Sequence, residues 1–344
     1  KYFFCLYFFM LEIDGSEGGG QILRTALGLS VLTGKDFSID NIRAIRPQKG
    51  LREQHLKGVL AALELCEGEV AGAELGSEKI VFKPETIKSG ELEVEINTAG
   101  SVGLLLQSLL IPTIKTDLKI NVKGGATFGL FAPPIYHFDN VLFPLLKKMG
   151  YEVSSKVDHH GFFPKGGARI EVDSKKAELK RLDILDKGSI KSIKIISVAS
   201  HQLENPKVAE RQAEAAKKII EEKFSLPVEV KVKYCDALCM GSGIQITIET
   251  ENSFFGGDCV GERGKRAELV GEEAAKSLIK SYDNGSVDIH TGDMLLPYIA
   301  LAGGSYIVPE ITNHVKRNID VIEKFLDIKF LVEGNKISVE KHKI

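Results

Sequence analysis

One pattern occurs three times along the chain, and it narrows the fold more than any single motif does. The first copy reads "MLEIDG", a glycine turn, "GGQILRTALGLSVLTG", "DFSIDNIRAI", the polar loop "RPQKG", "LREQHLKGVLAALELC", "EVAGAELG" and "KIVFKP". Ile22, Leu23, Leu27, Leu29 and Leu32 share a helical face. The order is strand, glycine turn, helix, strand, helix, strand, strand. A second copy runs from "ELEVEINTAG" through "SVGLLLQSLLIPTI", "LKINVKGG", "ATFGLFAPP", "IYHFDNVLFPLLKKMG" and "YEVSSKVD" to "ARIEVD". A third starts near Val287 with "VDIHTGDMLLPYIALAGG" and continues through "SYIVPEITN", "HVKRNIDVIEKFL", "IKFLVEG" and "KISVEK". One unit alone buries little, whereas three together make a core.

The chain between the second and third copies has another rhythm. "SIKSIKIISVAS", "PVEVKVKYCD" and "GIQITIETE" read as strands, and "PKVAERQAEAAKKIIEEKF" and "GKRAELVGEEAAKSLIKSY" as helices. We therefore expect an α+β protein. Its large body has three repeated α/β units, each of two helices on a four-stranded sheet, over residues 10–181 and 283–344. A smaller α+β domain is inserted over residues 182–282. The opening "KYFFCLYFFM" is too short to span a bilayer, and Met10 begins a natural first strand. Residues 1–9 read as a non-native or mis-called extension.

Composition excludes little. A formal charge of −2 argues against a bulk electrostatic grip on nucleic acid but leaves room for a local basic groove. Five cysteines, with no CxxC pair, suit packed thiols in a reducing, cytoplasmic setting better than disulfides or zinc. Cys235 and Cys239 read as thiols packed on a strand and its turn.

The first glycine loop, "GSEGGGQILR", lacks the Gly-Lys-Ser/Thr ending of a Walker loop. It still reads as a strand-to-helix turn whose free N–H groups can face an anion, with Glu17 able to share a metal with phosphate oxygens. Tight helix packing would also account for the glycines. "IRAIRPQKGLREQHLKG" carries Arg43, Arg46, Lys49, Arg52, His55 and Lys57 against a single acid, Glu53. Arg43 and Arg46 straddle a strand end, where their forks could meet one phosphate, and Arg52 and Lys57 read better as a solvated face. Gln107 lies in an apolar helix, exposed by the period or held toward a ligand. Asp293 could sit at a helix start, with His290 one turn before it. Thr312 or Asn313 reads as an N-cap, which puts His314 in the first helical turn. That position disfavours imidazolium and leaves a neutral, nucleophilic ring beside free N–H donors. A plain hydrogen-bonded histidine at a strand–helix junction is the bland alternative. His159 and His160 are adjacent on a strand, point to opposite faces and do not form a metal pair by themselves.

Together "LEIDGSEGGGQILR", "IRAIRPQKGLREQHL", "NTAGSVGLLLQSLL", "APP", "HHGFFPKGGARIEV", "DMLLPYIALAGG" and "TNH" resemble the RNA 3'-terminal phosphate cyclase family, in its archaeal form, along nearly the whole chain. The resemblance implies three like units with a smaller domain inserted before the last. It implies ATP-dependent conversion of an RNA 3'-phosphate end into a 2',3'-cyclic phosphate, a ligase reaction that passes through a covalent histidine–AMP. His314 stands at the place of that histidine. Glu17, Arg24, Arg43 and Arg46 match the family's other catalytic residues, with Glu17 toward a divalent Mg2+ or Mn2+ ion. Gln107, Pro133, His290, Thr291, Gly292, Asp293 and Met294 fall on its ATP-contacting positions. The chain departs from the family where Met294 replaces a frequent glutamine, where His290 replaces a frequent tyrosine, and where "GGATFG" replaces a commoner Gly-Gly-Thr form. Two rivals remain: a non-catalytic cyclase-like factor in RNA processing or ribosome assembly, which would lack the histidine, and an enolpyruvyl transferase, which would need six units.

Overall fold

A computed structural model describes residues 10–341, so the expected extension at residues 1–9 lies outside the described residues. The first unit comprises β1 (Leu11–Asp14), α1 (Gly20–Thr33), β2 (Phe37–Asp40), α2 (Glu53–Cys66), β3 (Glu69–Ala71) and β4 (Ile80–Lys83). Its sheet has the order β1-β2-β4-β3, with β1 and β2 parallel and the other pairs antiparallel. The second unit comprises β5 (Gly90–Ser101), α3 (Val102–Leu109), β6 (Leu118–Ala126), α4 (Ile135–His137), α5 (Phe143–Lys148), β7 (Val153–His159) and β8 (Arg169–Ser174). A π-helical stretch, Phe138–Leu142, joins α4 to α5. The sheet order β5-β6-β8-β7 repeats that of the first unit, parallel pair included.

The third unit corrects the expected boundary. Its first strand is not at Val287. It is β9 (Leu182–Ile184), which pairs in parallel with a strand more than a hundred residues later. Next come the inserted elements: β10 (Ile190–Ser200), α6 (Val208–Phe224), β11 (Glu229–Cys235), β12 (Ser242–Thr250), β13 (Phe254–Val260) and α7 (Ala267–Asn284). The unit resumes with α8 (Ile289–Met294), α9 (Leu296–Ala302), β14 (Gly304–Ile307), α10 (Asn313–Phe325), β15 (Leu331–Glu333) and β16 (Lys336–Val339). Its order, β9-β14-β16-β15, is the same once more. The insert therefore interrupts the third unit after its first strand. The segment "VDIH" is the entry to α8 because Asp288 caps that helix, accepting the N–H groups of His290 and Thr291 at 2.9 Å each. The insert's sheet has a different order, β11-β10-β12-β13, and its last strand, "FFGGDCV", has too few alternating apolar residues to read as one.

One apolar core runs through all three units, and the insert holds a second of its own, from Ile193 and Ile246 to Leu278. Phe37 of β2 is buried against Phe82 at 5.8 Å and against Phe325 of α10 at 5.9 Å, tying the first sheet to the third unit's helix. Truncating such a ring costs about 3–5 kcal/mol. Thr25 of α1 bonds Asn318 of α10 at 2.7 Å, so the start of α10, where His314 sits, lies beside the start of α1. Phe128 and Phe162 of the second unit stack at 6.1 Å and close the seam to Ile196 and Val198 of the insert. His160 is buried there against Thr127 and Tyr136, while His159 is exposed; β7 ends at His159, so the two do not alternate along one strand as expected. Cys235 and Cys239 are packed thiols at this seam, bonded to the carbonyls of Ala199 and Phe162.

Candidate active site

A cavity of about 270 Å3 opens where the three units meet. Arg24 comes from α1, Gln107 from α3, Pro133 from the loop before α4, and His290 and Asp293 from α8. Thr312 and His314, at the start of α10, complete one wall. Residues far apart in sequence thus converge, since every unit supplies at least one lining side chain.

His314 is the second residue of α10, and the cap is Thr312, whose hydroxyl accepts the Val315 N–H at 3.1 Å. Its side chain is 58% exposed, so the ring is reachable from the cavity. Nδ1 lies 3.5 Å from Asp293 Oδ2. A neutral ring with its proton on the nitrogen facing Asp293 presents a lone pair on Nε2. Asp293 is not at the helix start; Asp288 is. Gln21, in the first turn of α1, donates from Nε2 to Asp293 Oδ2 at 2.7 Å and to the His314 carbonyl at 3.4 Å. Asn318 donates to the Asp293 carbonyl at 3.3 Å and accepts from the Thr25 hydroxyl at 2.7 Å. The glycine-turn helix is thus bonded directly to the helix carrying the histidine.

Arg24 donates from Nε to Gln107 Oε1 at 3.0 Å, which explains a glutamine inside the apolar α3. Burial pulls this guanidinium down to about 10 while Asp293 opposes the shift, so it is charged at neutral pH. Gly20 owes its missing side chain to these neighbours: a Cβ there would collide with His55 Nε2 and approach Arg24 Nη1 to 2.9 Å. His55 is buried, accepts the Arg52 N–H on Nδ1 at 3.2 Å, and is pushed down to about 3 by burial and by Arg24, Arg43 and Arg52. It is therefore a neutral ring with its N–H on Nε2, aimed at the glycine loop. It differs from the cation-rich stretch around it, and only the fold reveals that difference.

The arginine pair does not sit at a strand end. β2 stops at Asp40, and Arg43 and Arg46 occupy the turns beyond it, Arg43 with a φ of 57°. Arg43 Nη1 donates to the carbonyls of Gln48 and Gly50, at 2.8 and 3.1 Å, and so folds its own loop. Arg46 is exposed, with Nη2 3.6 Å from where a Cβ would stand on Gly19. Only Arg46 of the two reaches the glycine loop. Glu17 is exposed and ion-paired with Arg317, one turn after His314. Among the described residues no three His, Cys, Asp or Glu side chains cluster to hold a metal.

Within the stretch 290–294 only His290 and Asp293 line the cavity. Thr291 is buried against Asp288 and His137, the Gly292 carbonyl accepts from Tyr306, and Met294 faces a smaller internal void. Phe131, not anticipated, stands at the cavity with its side chain fully exposed and a φ of 59°, an unusual backbone for a bulky residue.

The fold and the cavity define a class of protein, a three-unit α+β body with an open cleft that holds Arg24, Asp293 and two histidines, one of them in the first turn of α10. Comparison with known proteins narrows this. The sequence profile of the RNA 3'-terminal phosphate cyclase family matches residues 15–332, and the chain belongs to that family. It is 41% identical over 332 residues to the RNA 3'-terminal phosphate cyclase of Saccharolobus islandicus (strain L.S.2.15 / Lassen #1), covering 95% of this chain and 97% of that one. It is 42% identical over 331 residues to the one from Pyrococcus abyssi (strain GE5 / Orsay), covering 94% and 96%. The protein is accordingly a member of an enzyme family of RNA processing. No helix among the described residues is long and apolar enough to cross a membrane.

Proposed function

We propose that this chain converts an RNA 3'-terminal phosphate into a 2',3'-cyclic phosphodiester, using ATP and a covalent His314–AMP. One observation carries the reading: His314, accessible and with Nδ1 toward Asp293, shares its cavity with Arg24, Gln107 and His290. Family membership supports the overall reaction, and the residue roles rest on this geometry.

Nε2 of His314 attacks the α-phosphorus of ATP; a P–N bond forms and pyrophosphate leaves. Asp293 holds the opposite ring nitrogen, and Gln21 holds Asp293. Arg24, braced by Gln107, offsets charge on the phosphates. An oxygen of the RNA 3'-phosphate then takes the adenylyl group, which frees the imidazole. Arg46 and the neutral N–H of His55, both at the glycine loop, suit that terminal phosphate. The adjacent 2'-hydroxyl attacks the activated phosphorus, AMP leaves, and the hydroxyl proton passes to water. Attachment to the same sugar supplies the proximity.

A divalent ion fits only as a companion of ATP. Glu17 offers one carboxylate, shared with Arg317, and one carboxylate plus phosphate oxygens is a common way to hold Mg2+. Glu17 would hold it, and it would offset phosphate charge. We read the protein as cytoplasmic, with RNA ends and ATP as its substrates.

The test is to incubate the purified protein with ATP and an RNA ending in a 3'-phosphate. The product should resist phosphatase and regain sensitivity after acid opening of the ring. An end that stays phosphatase-sensitive throughout would favour a binding factor without catalysis.

A further inference from the structure

A side chain of the insert touches a residue that lines the cavity. Its strand β13 lies along α4 and α8: the Gly256 N–H donates to the Asp288 carboxylate at 2.8 Å, and a Cβ on Gly256 would collide with His137. Two residues on, and therefore on the same face of the strand, Asp258 lies with Oδ1 3.4 Å from His290 Nε2. That oxygen is buried and has no hydrogen-bond partner among the described residues. The Asp258 side chain is 12% exposed, whereas His290 is 38% exposed and lines the cavity with Asp293 and His314.

A carboxylate oxygen shut away from water is costly unless a cation answers it. Among the described residues the one cationic side chain within 4.0 Å of it is His290. Burial pulls the His290 ring down, but the contact and charge of Asp258, followed by Asp288 and Asp293, override this and raise it to about 9. His137, edge-on at 5.5 Å, adds no charge, because burial lowers it. The consequence is chemical. A neutral ring with its proton on Nε2 would offer an acceptor at Nδ1, and phosphate oxygens are acceptors too. An imidazolium has a proton on both nitrogens, so with Nε2 toward Asp258 its Nδ1 becomes a charged donor. Nδ1 has no protein partner among the described residues.

We propose that Asp258 of the insert is a positioning residue for ATP, keeping His290 in the doubly protonated form that donates to the anionic nucleotide. The insert thereby completes a cavity otherwise built by the three units. The inference rests on ATP occupying this cavity.

Calorimetric ATP binding between pH 7.5 and 10 tests it, on the wild type, Asp258→Asn, His290→Gln and the double variant. Wild-type affinity should hold near pH 8 and fall as the pH rises through about 9. Asp258→Asn should move that fall toward the ordinary histidine range and weaken binding at pH 8 on the order of 10-fold. His290→Gln should bind weakly without this pH step, and adding Asp258→Asn should change it no further. A merely structural Asp258 would weaken binding in both backgrounds and leave the pH step in place, which overturns the proposal. So does an Asp258→Asn protein that keeps the wild-type affinity and profile. Absence of ATP binding by the wild type at any pH would remove the functional reading itself, a distinct failure.

Discussion

Gln21 donates to the Asp293 carboxylate at 2.7 Å, joining the first turn of α1 to a helix of the third unit 272 positions away. The same carboxylate lies 3.5 Å from His314 Nδ1. The first unit therefore orients the ring of the third through a single shared acid. The glycine turn matters for what it lets approach, namely Arg24, His55 and Arg46, more than for any Walker-like cradle.

This chain of contacts gives the first prediction. Gln21→Ala should leave Asp293 free to rotate and slow histidine adenylylation on the order of 10-fold, and Asp293→Asn should slow it at least as much. Gln21→Glu should be worse than Ala, since two carboxylates would then face each other. Rates of adenylate transfer from labelled ATP, measured before any RNA is added, provide the check.

A second prediction concerns Asp288. Fully buried, it accepts the N–H groups of His290, Thr291 and Gly256 and the Thr291 hydroxyl, all within 2.9 Å. It ties the insert to the start of α8. Asp288→Ala should destabilise the protein by about 3 kcal/mol, because four donors lose their partner in the interior. Chemical denaturation should show this as a lower midpoint; a change under about 0.5 kcal/mol would contradict the bridging role.

A third prediction is a loss of stability in mild acid. Burial holds both His55 and His160 down to about 3, helped by Arg24, Arg43 and Arg52 at His55 and by Lys233 at His160. Each ring is neutral when folded but gains a proton in the unfolded chain below about 6.5. Their contribution is thus fully present above that value and is lost as the pH falls from there toward 3. At pH 5 each forfeits on the order of 2 kcal/mol. His290, raised to about 9, works in the opposite sense: its contribution is present below about 6.5 and fades as the pH rises through 9. Melting temperature should therefore fall between pH 7 and pH 5, and it should fall less in His160→Gln. Equal pH sensitivity in the two proteins would refute the assignment.

Much of this was legible in the sequence, and the misses have physical causes. The repeat order and the Thr312 cap follow from local periodicity and capping chemistry, whereas the partner of Gln107, Arg24 of another unit, does not. β9 was not legible as part of the third unit, since a three-residue strand is recognised only through the partner it finds beyond the insert. Arg43 looks like a free cation in sequence, yet a left-handed backbone turns it onto the carbonyls of its own loop. Glu17 and Arg317 lie three hundred positions apart, and Asp258 and His290, though much closer in sequence, meet only because β13 of the insert packs against α8. Such pairings belong to tertiary structure, and no local signal announces them.

The most direct test of the central claim is the fate of α-labelled ATP on the protein without RNA. Label should appear on the chain in acid-labile, alkali-stable form, should be discharged by an RNA 3'-phosphate, and should vanish in His314→Ala. Label that persists in that variant, or that never forms on a wild type able to cyclise RNA, would place the nucleophile elsewhere and contradict the mechanism.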